Sequence, residues 1–580
     1  MPYLHQFDYI FAIGLIFAFL DAWNIGANDV ANSFATSVSS RSLTMKQAMI
    51  IASFCEFGGA VLVGARVADT IRSKIINVNR FKDQPEVLML GMMCALVGSS
   101  TYLTIATKIG LPVSTTHCIV GAVIGVGVAT IGADGVVWGW KGVSQVFAAW
   151  VIAPAIAGAF AAILFTITKY GVLKRENSFR KGLIAIPFYF ALTSGVLTMM
   201  VVWKGAPALK VDKLSQGEII GTILGVAFGV ALICVVFFLP YLYRRLMLED
   251  WTLRWYHVFQ GPLLLRRGPV PPPPADEHHQ IVQDYYRGHL TREQLEARRN
   301  AHPGDAEKAP VHTEQSSETG TPKGAAASSE ASSDHQHPHH QSHVQTYVES
   351  KGLPPFEGAW YKPKNLWTIA TWAFFRGVHR DPATEQTTAK GNFLVGDLDD
   401  MHARVEHHDN KTEHLYSFLQ VMTAMTASFA HGSNDVSNAM GPLATIYLVW
   451  STDTIASKAP VPIWVLVFGG AAIVIGLWTY GYHIMRNLGN RLTLHSPSRG
   501  FSMELGAALT VVLATRLALP ISTTQCIVGA TVGVGLCAGD FKAINWRMVA
   551  WIYMGWFITL PCTGLIAGCL MAFVINAPRW

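Results

Sequence analysis

The sequence predicts an all-α polytopic membrane protein with about twelve transmembrane segments, arranged as two inverted-topology repeats with broken half-helices. Three observations support this fold class. Only 14% of the 580 residues are charged, whereas soluble domains carry roughly 25%. Apolar stretches of about 20 residues, long enough to cross a bilayer, recur along the chain. Two polar motifs each occur twice, both times within strongly apolar sequence.

The internal repeat is visible in these two pairs of motifs. GANDVANS at 26–33 returns as GSNDVSNA at 432–439. LPVSTTHCIVGAVIGVG at 111–127 returns as LPISTTQCIVGATVGVG at 519–535, with 13 of 17 positions identical. Polar groups at equivalent places in apolar segments are unfavourable in a membrane, so they are functional candidates. A duplicated unit with interrupted apolar segments is typical of secondary transporters.

The predicted spans follow one another through both halves of the chain. They lie near 8–38 (interrupted), 46–65, 87–107, 112–131, 144–168, 184–203, 216–240, 414–450 (interrupted), 461–485, 502–518, 520–538 and 548–574. The N-terminal sequence MPYLHQFDYI lacks the basic start of a cleaved signal peptide, so we expect the first span to be retained.

Basic residues in the short loops set the predicted orientation. The basic loops near 169–181, 244–267 and 486–499 share one side if the N-terminus lies outside, and such loops favour the cytoplasm. The loop at 66–86 falls on the other side and violates this rule. We therefore expect both termini outside and the central loop in the cytoplasm. Seven predicted crossings separate the first span from its copy at 414–450, and this odd number predicts an inverted repeat suited to alternating access.

The sequence divides into a membrane domain with the first repeat (1–240), a cytoplasmic loop (241–412) and a membrane domain with the second repeat (413–580). The loop contains PVPPPP and a His-rich tract, DHQHPHHQSH. Its composition predicts that it is largely disordered. We interpret the His-rich tract as a solvated low-complexity segment, with transition-metal binding as the alternative. The segment 366–379 is too short to span a bilayer and is predicted to form an interfacial helix.

The Leu-Pro-Ser/Thr pattern predicts the start of a helix at membrane depth. Proline followed by hydroxyl residues and an apolar run is a helix-start signature. The first N–H groups of such a half-helix have no intrahelical partner, and together with the dipole they favour an oxyanion. The hydroxyl donors are predicted to be Ser114, Thr115, Thr116, Ser522, Thr523 and Thr524. The alternative is that these hydroxyls only bond back to the helix backbone.

The Asn-Asp motifs predict cation or proton sites. Asp29 and Asp435 lie in apolar spans with no Lys or Arg within seven residues, and a carboxylate there is unfavourable unless it is neutralised. Carboxylate and amide oxygens suit hard cations. The candidate ligands are Asn28, Asp29, Asn32, Asn434, Asp435 and Asn438. The nearby Gly26, Gly441 and Pro442 suggest unwound backbone that frees carbonyl groups. The alternative is interhelical hydrogen bonding that serves packing.

Two further acids, Glu56 and Glu504, interrupt apolar segments at positions that are not equivalent in the two repeats. Each is either a coupling site or an acid at the level of the membrane interface.

The paired motifs GANDVANS/GSNDVSNA and LPVSTTH/LPISTTQ resemble the duplicated signature of the PiT family of inorganic phosphate transporters. The resemblance covers roughly 8–240 and 414–575, and the long hydrophilic centre looks most like fungal plasma-membrane sodium/phosphate symporters. It implies import of phosphate with sodium. It also implies that the Asn-Asp and Ser-Thr-Thr residues line the phosphate and sodium sites, and that Glu56 and Glu504 match glutamates needed for transport.

Several alternatives stay open at this level. The carrier is coupled to protons rather than sodium, or takes another oxyanion, or serves as a phosphate sensor. An intramembrane hydrolase that uses Ser114 with His117 is disfavoured, because the second repeat has Gln525 in place of His117. We thus expect no enzyme activity and no cofactor. The expected partners are phosphate, sodium and the lipid bilayer but not nucleic acid, and a homodimer is left open.

Overall fold

The computed structural model describes residues 3–65, 75–140, 142–204, 211, 214–272, 281–300, 359–375, 377–378, 382, 386, 394–455, 461–516, 519 and 521–577. Within these residues the regular secondary structure is helical, apart from one isolated bridge between Ile76 and Val136. Contacts group the chain into one unit of residues 1–291 and 376–580 and a second unit of residues 292–375. The candidate site lies in the first unit.

The helices of the first repeat and the region after it are α1 (Asp8–Ser39), α2 (Met45–Val63), α3 (Pro85–Ile109), α4 (Thr115–Ile131), α5 (Val143–Thr168), α6 (Ser178–Lys204), α7 (Gln216–Ile233) and α8 (Leu239–Leu242). Then come α9 (Arg292–Asn300), α10 (Pro363–Phe375) and α11 (Leu398–Ala403). The second repeat contains α12 (Asn410–Thr452), α13 (Ile463–Tyr480), α14 (Tyr482–Met485), α15 (Pro497–Arg516), α16 (Thr523–Leu536) and α17 (Trp546–Asn576).

Each predicted span contains a helix, which confirms the all-helical fold class. In the part of the chain that the structure describes, eight helical stretches are long and apolar enough to cross a membrane. They include α1, α2, α3, α5, α6, α7, α13 and α17. The helices α4 and α16 are apolar but shorter, as expected for half-helices. The count of twelve crossings and their inverted topology stay predictions.

The predicted interruptions of the first span and of its copy are wrong. Helix α1 continues through Gly26, and the 43-residue α12 continues through Gly441 and Pro442. The reason at Gly26 is packing rather than unwinding. A Cβ atom at Gly26 would lie 1.9 Å from the Ile473 carbonyl oxygen, so only glycine permits this close approach of α1 and α13.

The helices of the two repeats exchange equivalent contacts. The counterpart of Gly26 is Gly432, whose added Cβ would lie 2.3 Å from the Glu56 carbonyl oxygen. Gly125 on α4 meets the Gly564 carbonyl of α17, and its counterpart Gly533 on α16 meets the Gly158 carbonyl of α5. Each repeat therefore contacts the other through matching backbone positions.

Each Asn-Asp motif lies at the point where its helix passes from one buried apolar cluster to another. On α1, Ala22 and Ile25 belong to one buried apolar cluster, whereas Val30 and Phe34 belong to another. The same change occurs on α12, between Ala430 and Val436. The polar residues 28–32 and 434–438 thus fall at equivalent boundaries between two apolar regions. This places both motifs at a common depth in the helix bundle.

The second unit contains α10, which matches most of the predicted interfacial helix at 366–379. Trp367 on this helix is 72% exposed and Phe375 is 41% exposed. Residues 376 and 379 lie outside the described residues. An exposed aromatic face suits a membrane interface, and that location stays a prediction.

The two ends of the 241–412 segment have defined structure, and the prediction that the segment is largely disordered stays a prediction. Tyr286 is buried and donates to Glu413 at 2.9 Å, and Ser498 donates to the same carboxylate through its N–H at 2.8 Å. His402 is buried with its Nε2 atom 2.6 Å from the Asn490 carbonyl oxygen. These aromatic and polar anchors supply contacts that average composition does not reveal. The His-rich tract at 334–343 lies outside the described residues.

Candidate functional site

The starts of the two half-helices converge on the two repeated aspartates. Ser114 is the N-cap of α4 and Ser522 is the N-cap of α16. Thr115 donates from Oγ1 to Asp29 Oδ2 at 3.0 Å. Its counterpart Thr523 donates to Asp435 Oδ2 at 2.9 Å. Each half-helix is therefore tied to the aspartate of its own repeat.

Asparagines link each repeat to the half-helix of the other. Asn32 on α1 donates to Thr524 Oγ1 of α16 at 2.8 Å. Asn438 on α12 donates to Thr116 Oγ1 of α4 at 3.2 Å. Thr524 also donates to Asp29 Oδ1 at 3.3 Å. All of these side chains are buried. The predicted Asn, Asp and Thr residues of both motifs thus form one contiguous cluster.

Three predicted ligands have local roles at the half-helix starts. The Ser114 hydroxyl accepts the His117 N–H at 3.2 Å, and the Ser522 hydroxyl accepts the Gln525 N–H at 3.4 Å. Asn28 accepts the Val113 N–H at 3.1 Å and donates to the Leu111 carbonyl at 3.1 Å. The two serine bonds cap α4 and α16, and the Asn28 bonds fix the turn that precedes α4.

Asn434 differs from its counterpart Asn28 in its contacts. It donates to Asp435 Oδ1 at 2.7 Å and to the Ile521 carbonyl at 3.4 Å. It therefore joins the carboxylate to the turn before α16.

His431 is a central residue that the comparison of repeats missed. Its Nε2 atom lies 3.0 Å from Asp435 Oδ2 and 3.5 Å from Asp29 Oδ2. Its Nδ1 atom lies 2.6 Å from Glu56 Oε2. The ring thus bridges both aspartates and connects them to a third carboxylate. A signal was present in the sequence, because His431 precedes Asp435 by one helical turn and therefore lies on the same face. The aspartates have no Lys or Arg nearby in the sequence, but His431 is a titratable neighbour of both.

The three central groups could hold a metal ion. The ligand atoms of Asp29, His431 and Asp435 all lie within 4.8 Å of one another, and all three residues are buried. A hard monovalent cation prefers oxygen ligands, which the two carboxylates and nearby threonine hydroxyls can supply. The imidazole is a competing positive partner when protonated. The two aspartates can therefore be neutralised either by a bound cation or by a protonated His431.

The glutamates lie in separate environments. Glu56 on α2 accepts from Ser428 at 3.0 Å and contacts His431, so it reaches the central site through the imidazole. Glu504 on α15 accepts from Thr36 at 2.5 Å, from Ser37 at 2.6 Å and from Thr423 at 2.5 Å. Thr36 lies one turn beyond Asn32 on α1. Glu504 therefore binds α1 and α12 together beside the site rather than within it.

The arrangement offers no nucleophile and base pair at Ser114. Trp150 donates from its indole N–H to His117 Nε2 at 2.9 Å. That bond occupies one ring nitrogen of His117, whereas the Ser114 hydroxyl accepts the His117 backbone N–H. His117 and Trp150 therefore act as packing partners behind the half-helix. Nothing in this geometry favours the hydrolase alternative.

A bundle of apolar helices with two half-helix starts next to buried carboxylates is the architecture of a membrane carrier. The chain matches the phosphate transporter family (PHO4) over residues 25–567. The protein therefore belongs to this family, and the resemblance drawn from the repeated motifs is confirmed.

Individual relatives agree with the family match. The chain is 56% identical to the phosphate-repressible phosphate permease pho-4 of Neurospora crassa, over 100% of this chain and 99% of the relative. It is 32% identical to sodium-dependent phosphate transporter 1 of Mus musculus, over 97% of this chain and 94% of that protein. A solved structure titled "The sodium-dependent phosphate transporter" has the same fold, with a TM-score of 0.62, 24% identity, and coverage of 98% of this chain and 100% of that chain.

Proposed function

We propose that the protein is a sodium-coupled symporter that imports inorganic phosphate across the plasma membrane by alternating access. The observation that supports this most directly is the meeting of two half-helix starts over Asp29 and Asp435. The names of the relatives, which include a phosphate permease and sodium-dependent phosphate transporters, support the same substrate and coupling ion.

The half-helix starts would bind phosphate through neutral donors. The first N–H groups of α4 and α16 lack intrahelical partners. Both helix dipoles favour an anion at these ends. Thr115, Thr116, Thr523 and Thr524 would turn their hydroxyl groups toward phosphate when it enters. The amides of Asn32 and Asn438 already contact all four of these hydroxyls and would orient them.

The aspartates give a physical reason for coupling to a cation. Asp29 and Asp435 accept hydrogen bonds from the same threonines that would hold phosphate. Ionised carboxylates so close to an anion would repel it. Sodium bound to these carboxylates removes the repulsion and releases the hydroxyls. Phosphate therefore binds well only when the cations are present, which is the condition for symport.

Proton coupling is the second candidate, and His431 is the observation that favours it. Its imidazole contacts Glu56 on one side and both aspartates on the other. A proton at this position neutralises the carboxylates as a cation would. Replacing sodium by choline while a pH gradient is kept separates the two mechanisms. Uptake that survives this replacement supports proton coupling and contradicts sodium coupling.

The test of the main proposal is uptake of radiolabelled phosphate by purified protein in liposomes. An inward sodium gradient should drive accumulation. Asp29→Asn and Asp435→Asn should each abolish it, because the amide cannot balance a cation. Asp134→Asn, an exposed acid in a loop, is the matched control and should transport normally. Sodium-driven uptake in either central variant at the normal rate would contradict the assignment of the cation site.

The remaining details of the proposal concern location and assembly. We place both termini outside and the central loop in the cytoplasm, as the basic loops predict. We propose no cofactor and no catalytic activity. A homodimer stays an open prediction that the size of the purified protein in detergent would test.

A further inference from the structure

Asp21 on α1 is a second buried carboxylate, separate from the central cluster. Its exposed fraction is 0%, and among the described residues its side-chain oxygens have no hydrogen-bonding neighbour other than the Ser99 hydroxyl. An ionised carboxylate in such a place is strongly unfavourable unless a positive charge is bound beside it. Asp21 lies eight residues before Asp29 on α1, just over two helical turns away. Its environment therefore needs its own explanation.

The polar atoms next to Asp21 that lack other partners are all oxygens. The Ser99 hydroxyl on α3 interacts with the Asp21 carboxylate, and this buried hydroxyl has no other hydrogen-bond partner among the described residues. Asn24 lies one turn after Asp21 on α1, and its buried Oδ1 atom is also without a partner there. These groups are two carboxylate oxygens, an amide oxygen and a hydroxyl oxygen.

Hydrogen bonds from the Nδ2 group of Asn24 set the orientation of its side-chain amide. Asn24 donates through Nδ2 to the Leu20 carbonyl at 2.9 Å and to Thr104 Oγ1 at 2.9 Å. The amide group is thus held by its own helix and by α3. Its oxygen is left as a fixed acceptor without a donor. Oxygen-only ligand sets of this kind suit a hard cation.

The corresponding place in the second repeat contains only apolar residues. When GANDVANS is aligned on GSNDVSNA, Asp21 falls on Ala427 and Asn24 falls on Ala430. When the two half-helix motifs are aligned, Ser99 falls on Ala507.

Contacts support this alignment. An added Cβ at Gly98 would meet Ala567, and one at its counterpart Gly506 would meet Ala161. The helix packing shared by the two repeats therefore does not require polar residues at these positions. Asp21, Asn24 and Ser99 occur only in the first repeat.

We propose that Asp21, Asn24 and Ser99 form a sodium site in the first repeat, distinct from the cation site at Asp29 and Asp435. The choice of ion rests on the proposed function, in which sodium is cotransported. One carboxylate balances one positive charge, which favours a monovalent over a divalent ion. Protonation of Asp21 is the competing way to neutralise this carboxylate, and the measurements below separate it from sodium binding.

The position of the site links it to the phosphate-binding half-helix. Asn28 lies one turn beyond Asn24 on the same face of α1. Asn28 holds the turn before α4 through the Val113 N–H and the Leu111 carbonyl. A cation at Asp21 fixes the segment of α1 from which Asn28 projects. Sodium at this site therefore stabilises the geometry of the central site without contacting phosphate.

Sodium-dependent thermal stability of the purified full chain, measured without phosphate, tests the site directly. The double variant Asp29→Asn, Asp435→Asn removes the central carboxylates. In this background, sodium should still raise the melting temperature, with choline chloride holding the ionic strength constant. Adding Asp21→Asn should abolish that rise. Adding Asp8→Asn instead, an exposed acid at the start of the same helix, should leave it intact.

Uptake measurements in the otherwise wild-type chain give a second readout. Asp21→Asn should raise the half-saturating sodium concentration by about tenfold, the effect of losing roughly 1.4 kcal/mol of binding. It should also reduce the steepness of the sodium dependence by about one ion. Ser99→Ala keeps the carboxylate and should give a smaller shift in the same direction. This second variant keeps the test decisive if Asp21→Asn folds poorly.

Two results would overturn the proposal. One is a sodium response in Asp21→Asn and Ser99→Ala equal to that of the wild type. The other is a change in pH dependence at constant sodium without a change in the sodium response, which would assign Asp21 to a proton. Failure of sodium to drive phosphate uptake in the wild type would instead refute the proposed function. The stability measurement does not depend on uptake, so the two failures are distinguishable.

Discussion

His431 distinguishes the two halves of the central site. With the Asn-Asp motifs aligned, His431 corresponds to Ile25. Glu56 and Ile473 also correspond, because each lies against the equivalent glycine of the other repeat. Ile25 and Ile473 are fully buried and apolar. One side of the bundle therefore has an imidazole and carboxylate pair where the other side has two isoleucines.

The threonines that contact the aspartates should determine phosphate affinity. Thr115→Val or Thr523→Val removes one hydroxyl donor and keeps a β-branched shape. The loss of one hydrogen bond to a charged ligand is worth about 1.5–3 kcal/mol, or roughly 10- to 150-fold in affinity. Phosphate Kd at saturating sodium measures this effect. The matched variants Thr115→Ser and Thr523→Ser keep the hydroxyl and should bind nearly normally.

An unchanged phosphate Kd in both valine variants would contradict the proposed anion site. A loss of sodium binding that equals the loss of phosphate binding would assign the hydroxyls to the cation instead.

Repetition explains which site residues the sequence could reveal. Asn32, Asp29 and Thr115 were found because each has a counterpart in the second repeat. His431 and Asp21 have no polar counterpart, so a comparison of repeats could not identify them. A search for every polar residue within an apolar span would have found both. The contacts of Glu504 with two different helices could not be predicted, because they depend on how α15 packs against α1 and α12.

At the scale of the helices, close backbone contact fixes the half-helices. Gly125 on α4 lies against the Gly564 carbonyl of α17, and an added Cβ would approach that oxygen to 1.9 Å. Gly533 on α16 lies in the same way against α5. These contacts hold the half-helices at a set depth. The position of each helix start, and hence of its free N–H groups, follows from them.

Gly125→Ala should therefore destabilise the protein. Overpacking of a tight core contact typically costs about 1–3 kcal/mol, and here the obstacle is backbone. The melting temperature of purified protein should fall. Gly221→Ala on α7 is the control, because an added Cβ there meets nothing within 4 Å. Equal melting temperatures for the two variants would contradict the packing argument.

Helix boundaries were largely predictable, whereas helix continuity was not. The apolar stretches located each helix of the bundle, and the Ser N-caps marked the starts of α4 and α16. Glycine within α1 was interpreted as unwound backbone. Its use is instead to admit the neighbouring helix α13. Sequence alone does not separate these two uses of glycine, because both depend on which helix lies opposite.

At the scale of the whole molecule, the segments next to the central loop dock against the second repeat through buried histidines. Burial lowers the pKa of His402 to about 4 and that of His495 to about 3. Unfolded histidine has a pKa near 6.5. Below that pH the undocked state binds more protons than the docked state. Docking is therefore fully stable above about pH 6.5 and weakens as the pH falls toward 4.

We expect faster tryptic cleavage near Arg287 at pH 5 than at pH 7.5, because His289 beside it contacts His402 at 3.0 Å. His402→Gln retains a donor for the Asn490 carbonyl and cannot titrate, so its cleavage should depend less on pH. Trypsin activity is calibrated at both pH values with an unfolded substrate. Cleavage that is insensitive to pH in the wild type would refute this docking mechanism.

Deletion of residues 301–350 should leave transport intact. This stretch has no apolar periodicity and contains none of the repeated residues. Phosphate uptake by the deletion variant in liposomes should match that of a variant in which a Gly/Ser segment of equal length replaces it. A complete loss of uptake with folded protein would show that the stretch gates the pathway. Effects seen only in cells would instead indicate regulation.

The two repeats share the same helix packing, but their titratable residues are placed differently, so the two halves of the molecule are not equivalent. Exchanging the two halves would superimpose glycine on glycine and threonine on threonine. It would also bring the His431–Glu56 pair onto Ile25–Ile473, and Asp21 onto Ala427. Any motion that swaps the conformations of the halves therefore connects two states of unequal energy. We expect the protein, in the absence of gradients, to rest preferentially with one face open.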